Sequence, residues 1–310
     1  MSKVREGFAS SEDGLRLHYK FNPGPKGAPT LVFCNGVLCT DSYFVYIMRH
    51  FEGRYPILTW DYRGHGRSEV PSDFKSMSVL NHARDLAAVM DAARVKKAVL
   101  LGFSIGVMVG FEFYRRWPVR THAIVSISGG VKKPFNLFLG TDKLEGATEA
   151  FLNFAARLGP VLNPVLNGFL RSPLVMPTAW VIGTDRHRIL KKDMVPHFEH
   201  MMQMDKKLAF TALRLMNDNS AMDILPKVKI PVLILMGTHD RMTPPRHAKQ
   251  MHKLIPGSEL FMVPHGQHAA LIENPQAISC RIEIFLRDHF SYRPHRPVGT
   301  KKEFFQKKLA

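Results

Sequence analysis

Gly102-Phe103-Ser104-Ile105-Gly106 is the stretch of this 310-residue chain whose residue types best suit covalent chemistry. It lies between a short apolar run, Val99 to Leu101, and an almost wholly apolar segment from Ile105 to Trp117 that Pro118 stops. The run predicts a strand buried on both faces of a parallel sheet, and the segment predicts a helix that follows at once. Small residues on both sides of a serine let a strained strand-to-helix turn project its hydroxyl from the sheet edge. A serine hydroxyl is a weak nucleophile until a base takes its proton, so Ser104 needs partners. Two other apolar runs end in groups of the right kind. Asp240 follows Val232 to Met236 within Gly237-Thr-His-Asp-Arg-Met-Thr-Pro244, and His268 follows Leu260 to Val263.

The elements that must position these groups alternate. Phe8 to Ser11 and Leu15 to Phe21 read as a β-hairpin across Glu12-Asp13-Gly14. Thr30 to Cys34 and Ile57 to Trp60 are strands, with a helix from Tyr43 to His50 between them. Ser78 caps a helix to about Ala93, in which Val79, Ala83, Leu86 and Met90 recur at helical spacing. Ala123 to Ile127 adds a strand after the Ser104 helix. From residue 131 to 229 the alternation is lost and the pattern is helical, with stripes Ala147, Phe151, Phe154, Leu158 and Leu208, Ala212, Leu215. Alternation resumes with helices from Pro245 to Leu254 and from Pro275 to His289 around the strand before His268. The expected fold class is α/β: a mostly parallel central sheet flanked by helices, with functional groups outside the C-terminal strand ends. The expected organisation is a core of residues 1–130 and 230–290, a helical cap insert of residues 131–229 and a basic tail of residues 291–310.

Four motifs stand in order: Asp61 to Ser68 (D-x-R-G-x-G-x-S), Gly102 to Gly106 (G-x-S-x-G), Gly237 to Pro244 (G-x-x-D-x-x-x-P) and Gly266-x-His268-x-x-x-x-Glu273-x-Pro275. With them the chain resembles the α/β-hydrolase fold superfamily over about residues 8 to 290. The resemblance implies that Ser104 attacks an acyl carbon, that His268 takes and returns the proton, and that Asp240 orients the imidazole and stabilises the imidazolium. His268, not His265, stands five residues before Glu273 and seven before Pro275, as the family's histidine does. His239 reads as a surface histidine. No carboxylate follows Ser128 before Asp142, which leaves Asp240 as the acid, while Asp61 is expected to order its own turn with Arg63, His65 and Ser68. An oxyanion hole needs two N–H groups. One is expected from Ile105, and the other from Val37, which matches the family's position after the strand Thr30 to Cys34. Many relatives have His-Gly where this chain has Asn35-Gly36.

A serine at the elbow, rather than the aspartate of relatives that open epoxides or displace halides, points to acyl transfer through an ester intermediate. The expected activity is cleavage of a carboxylic ester with an apolar acyl group. Thioesterase, lactonase, C–C bond hydrolase and acyltransferase activities would use the same residues, and a non-catalytic ligand-binding protein on this fold is the reading from another class. No metal or cofactor is expected: His197-Phe-Glu-His200 has no further matched ligands and reads as a solvated helix face, and Gly64-x-Gly66 lacks the rest of a dinucleotide motif. The inserted segment is expected to close the acyl pocket with Phe135, Phe138, Phe151, Phe154, Phe169, Trp180 and the methionines Met194, Met201, Met202 and Met204.

Lys and Arg number 43 against 26 Asp and Glu, a formal charge of +17. No aromatic-interleaved basic motif accompanies that excess, so no nucleic-acid partner is expected. The expected partner is a small-molecule ester, with lipid and an anionic membrane surface as further candidates. Val161 to Ile182 is apolar, but Pro164, Pro173, Pro177 and Arg171 interrupt it and argue against a transmembrane helix. The tail carries Arg293, Arg296, Lys301, Lys302, Lys307 and Lys308 against Glu303, with Phe304, Phe305 and Leu309 among them. The N-terminal residues lack the apolar region of a secretory signal, and Cys34, Cys39 and Cys280 cannot form a complete disulfide framework. These features imply a cytoplasmic protein, with membrane association as a further candidate, whose thiols are reduced and mostly buried.

Overall fold

The computed structural model describes residues 4–132 and 145–294. Strands β1 (Arg5–Ser10) and β2 (Arg16–Asn22) form the antiparallel hairpin, turning at Gly14 with φ +85°. Six parallel strands follow: β3 (Thr30–Cys34), β4 (Ile57–Trp60), β5 (Ala98–Phe103), β6 (Thr121–Ile127), β7 (Val232–Gly237) and β8 (Glu259–Val263). The 8-stranded sheet runs β1-β2-β4-β3-β5-β6-β7-β8, which puts β5 between β3 and β6. Every residue of β4, β5 and β7 is buried, which is why these strands read as near-continuous apolar runs, broken only by Thr59, rather than alternating ones.

Helices cover both faces. On one, α2 (Val79–Ala92) and α3 (Ile105–Arg116) bury Leu86, Met90, Val107 and Phe111 against Val32, Leu100 and Ile124. The other face carries α1 (Val45–Phe51), which a 3₁₀ turn over Asp41–Phe44 precedes where the sequence pattern suggests one continuous helix. Val99 and Leu101 point to that second face, so the two-residue period of β5 supplies both cores. Ser78 caps α2 as expected, its hydroxyl accepting the Asn81 N–H at 3.2 Å.

Between β6 and β7 the chain forms α4 (Glu145–Arg171), α5 (Val175–Ile182), α6 (Lys191–Gln203) and α7 (Lys206–Leu215). After β7 come α8 (Pro245–Leu254), a short α9 (Ala270–Glu273) and α10 (Pro275–His289), whose Ile282 and Phe285 pack on the face opposite α2.

One departure from expectation among these helices concerns α4. On α4 it is Leu152, Ala155 and Gly159 that are buried, whereas Phe151 and Phe154 are 63% and 60% exposed. The cause is steric. A Cβ at Gly159 would lie 2.5 Å from the Lys207 backbone N, so the glycine allows α4 to approach the start of α7 closely. The bulkier stripe of Ala147, Phe151, Phe154 and Leu158 is displaced outward. Leu208, Ala212 and Leu215 of α7 are buried as expected. Phe135, Phe138 and Asp142 lie outside the described residues, as do Arg296 and the rest of the basic tail beyond it.

Candidate active site

Ser104 is the first residue after β5 and the residue before α3, and its backbone is strained. Its φ of +54° and ψ of −119° fall where few non-glycine residues are found. The flanking glycines are steric necessities. A Cβ on Gly102 would lie 2.5 Å from the Gly106 carbonyl oxygen, and one on Gly106 would overlap the carbonyl of Cys34 at the end of β3. The turn is therefore wedged between its own helix and the neighbouring strand, with the Ser104 N–H donated to the Ile127 carbonyl at 3.0 Å.

The parallel sheet brings three chain-distant groups to this point. The Ser104 Oγ lies 3.2 Å from His268 Nε2, and His268 Nδ1 lies 3.0 and 3.3 Å from the two Asp240 carboxylate oxygens. Asp240 and His268 are buried while Ser104 retains some exposure. With Nδ1–H donated to the carboxylate, Nε2 keeps its lone pair and accepts the serine hydroxyl. Asp240 Oδ1 also accepts the Thr243 N–H at 2.8 Å, which fixes the carboxylate from the protein side. The arrangement can draw a proton from the hydroxyl and stabilise the resulting imidazolium.

The rival groups lie elsewhere. His265 and His239 stack on each other with ring centroids 5.4 Å apart, outside the Ser104 cluster. Asp61 pairs with His18 Nδ1 at 2.8 Å and accepts the Arg67 N–H at 3.0 Å. Burial raises the Asp61 carboxyl, but the His18 and Arg67 hydrogen bonds outweigh it and hold it below the usual carboxylate range. Ser68 donates to the Asp61 carbonyl, as a locally satisfied turn requires. Arg63 does not serve Asp61. It forms two hydrogen bonds to Asp85, at 2.6 and 2.7 Å, and reaches Asp13 at 2.8 Å.

His65 also turns away from Asp61. Its Nε2 accepts the Leu38 N–H at 3.2 Å, and its Nδ1 lies 3.0 Å from the Arg63 carbonyl. Leu38 has φ +57°, so this hydrogen bond holds a left-handed residue directly after Val37. Asn35, where many relatives have histidine, is buried and donates its side-chain amide to the Trp60 carbonyl at 3.1 Å. Val37 and Ile105 face one small cleft with Tyr62, His65, His82 and Met216. Ile105 opens α3, and the first N–H groups of a helix have no acceptor within it.

The imidazoles around this cleft are neutral. Burial pushes His65 down to about 4 and His82 well below its ordinary range. His197 and His200, read as a solvated helix face, instead turn inward. His197 meets the Tyr43 ring at 5.0 Å and His200 the His65 ring at 5.6 Å, and burial pushes both down to about 4. Of the three thiols, Cys34 and Cys39 are buried but Cys280 is exposed.

Sequence reasoning placed Glu273 in the histidine motif without giving it a task. Its carboxylate accepts the Gln267 N–H at 2.7 Å and the Asp185 N–H at 2.9 Å. One oxygen thus holds the loop that carries His268, and the other holds the chain just after α5. The His268 N–H is donated to the Gly183 carbonyl at 3.1 Å, in the same inserted segment. The fixed five-residue interval between His268 and Glu273 was the available signal.

A second space lies between Leu38 and the inserted helices. It is a cavity of about 210 Å³ lined by Leu38, Phe169, Leu170, Met204, Ala209 and Phe210, among others, and its walls are almost wholly apolar. Of the residues expected to line a pocket, Phe169, Met201 and Met204 do so. Trp180 and Met202 are half-buried against the sheet's helices, Met194 is buried there, and Phe151 and Phe154 face outward.

Residues 29–275 match the family model described as alpha/beta hydrolase fold. The chain belongs to this family. An Agrobacterium fabrum protein that bears the name carbamate hydrolase RutD is 24% identical over 265 residues, covering 84% of this chain and 93% of the relative. Among solved structures, a thermophilic esterase from Thermogutta terrifontis aligns with TM-score 0.73 and 18% identity, covering 93% of this chain and 100% of that one. The enol-lactonase from Burkholderia xenovorans aligns with TM-score 0.71 and 18% identity, covering 90% and 99%. At such identities the structural likenesses concern the alpha/beta hydrolase fold, which tolerates many chemistries.

Proposed function

We propose that this alpha/beta hydrolase cleaves a carboxylic ester with an apolar acyl group through an acyl-enzyme on Ser104. Ser104 Oγ attacks the acyl carbon while His268 Nε2 takes its proton, and Asp240 stabilises the imidazolium. The N–H groups of Ile105 and Val37 bind the developing oxyanion. The imidazolium protonates the departing alcohol. A water, deprotonated by the same imidazole, then releases the acid and restores Ser104.

The observation that carries this reading is the unbroken hydrogen-bonded series Ser104, His268, Asp240 beneath a serine held at φ +54°. The apolar cavity beginning at Leu38 supports the acyl preference, since its walls offer almost no polar group to a charged or hydrophilic chain. Relatives named for carbamate and lactone chemistry share the fold, so the substrate series must include such carbonyl groups.

Covalent labelling with a fluorophosphonate, followed by p-nitrophenyl esters from acetyl to long-chain acyl, tests the proposal. The expected result is labelling at Ser104 and turnover that rises with acyl length. A protein that is neither labelled nor active on any ester, thioester, lactone or carbamate would refute it.

A further inference from the structure

Fourteen large apolar side chains are exposed among the described residues, and nine of them lie between Phe151 and Leu190. The other five are scattered over the rest of the molecule. On α4 the exposed set is Phe151, Phe154, Val161, Val165 and Phe169, which fall within one arc of about 80° at 100° per residue. The buried residues Leu152, Ala155 and Gly159 occupy the adjoining arc, so α4 has a second apolar face that is exposed among the described residues. Such concentration marks an interaction surface rather than ordinary surface composition.

Charge selects the partner. From Ala150 to Thr184 the sequence has no Asp or Glu, and its only full charges are Arg157 and Arg171. Both are exposed, as are Arg186, Lys191 and Lys192 just beyond, while the flanking acids Glu149 and Asp185 pair with Arg214 and Arg188, each at 3.5 Å. A second copy docked through this face about a two-fold axis would bring one cationic patch against another, with no Asp or Glu between Ala150 and Thr184 to answer it. An anionic bilayer accepts both features, the apolar side chains among its acyl chains and the cations among its headgroups.

We propose that this face of α4, with the segment up to Leu190, docks on an anionic phospholipid bilayer. It lies in the plane of the interface and does not cross it; among the described residues no helix is long and apolar enough to span a membrane. Phe169 belongs both to the exposed arc and to the wall of the apolar cavity. A lipid acyl chain leaving the bilayer at Phe169 would therefore enter the cavity that ends at Leu38. That last step rests on the ester-hydrolase reading; the docking does not.

Sedimentation with vesicles tests the docking without turnover, using Ser104→Ala protein and vesicles of phosphatidylcholine with or without phosphatidylserine. The parent is expected to bind the anionic vesicles and to lose binding as salt screens the headgroups. Phe151→Gln/Phe154→Gln/Val165→Gln should bind at least ~10-fold more weakly, with unchanged circular dichroism and melting temperature. Phe154→Gln alone should give a smaller loss in the same direction, which covers a triple variant that fails to fold. Equal binding by parent and variants would assign any membrane affinity to another part of the chain, such as the basic tail, and overturn the proposal. So would absence of binding, or a parent dimer in light scattering that the substitutions convert to monomer.

Discussion

Leu38 donates its backbone N–H to His65 Nε2 at 3.2 Å, which ties the loop bearing Val37 to the turn that begins at Asp61. Replacing His65 by alanine leaves the Leu38 N–H buried and unpaired, at a cost of about 1–3 kcal/mol. The same change frees the left-handed residue beside Val37. Turnover is expected to fall about 10- to 100-fold with little change in KM, less than the ~10²–10³ lost with an oxyanion donor itself. Steady-state kinetics and a melting curve check both effects. Wild-type kcat in a folded His65→Ala protein would separate the loop from the chemistry.

Stability should fall in acid for a related reason. Burial lowers His65, His197, His200 and His247 to about 4. In the unfolded chain they titrate near the ordinary histidine value of about 6.5, so between those values the unfolded state binds more protons. Their contribution to stability is complete above about 6.5 and is lost as the pH falls towards 4. His18 acts in the other sense. The hydrogen bond to Asp61 raises it, so its contribution is present at low pH and lost as pH rises through its raised value. Melting temperature measured from pH 7 to pH 4 should decline, and a flat profile would contradict the buried neutral histidines.

The two carboxylates that compete for the acid role should separate cleanly. Asp240→Asn is expected to lower kcat by ~10⁴ with the fold intact, because the imidazolium loses its counter-charge and the tautomer can reverse. Asp61→Asn removes a partner of His18 and should lower the melting temperature instead, with kcat nearly unchanged. Ser104→Ala should abolish both turnover and fluorophosphonate labelling without loss of stability. Equal loss of kcat in Asp61→Asn at unchanged stability would reverse the assignment.

Acyl length reads the cavity directly. Each CH₂ newly buried between Leu38 and Phe169 contributes about 0.8 kcal/mol, or roughly fourfold in kcat/KM, until the space is filled. Leu213 also lines this cavity, and Leu213→Trp replaces its isobutyl group with a bulkier indole. It should lower kcat/KM for long-chain esters at least ~10-fold and leave acetyl ester hydrolysis unchanged. A strict preference for acetyl esters in the parent would remove the cavity from the substrate path.

Much of the candidate site was legible in the chain because its signals are local. Gly102 and Gly106 announce a turn that no side chain could share with the Cys34 carbonyl and the Gly106 backbone. Apolar runs ending in Ser104, Asp240 and His268 place all three at strand ends, and parallel strands put those ends on one edge of the sheet. Arg63, His65 and Glu273 were visible as motif residues, yet their partners Asp85, Leu38 and Asp185 lie 22, 27 and 88 positions away. No local pattern states those pairings.

The sequence by itself determined the order of strands and helices, the serine turn and the three groups that meet beyond the sheet, since periodicity and glycine sterics act over a few residues. Only the tertiary structure decided which apolar stripe of α4 turns inward. Phe151 and Phe154 have the greater hydrophobic area, but Leu152, Ala155 and Gly159 let α4 and α7 approach closely, and the close approach excludes the bulkier pair. Only the tertiary structure, too, shows His197 and His200 turned towards Tyr43 and His65. Helical periodicity is indifferent between two apolar stripes on one helix, and the choice belongs to the surface that the helix meets.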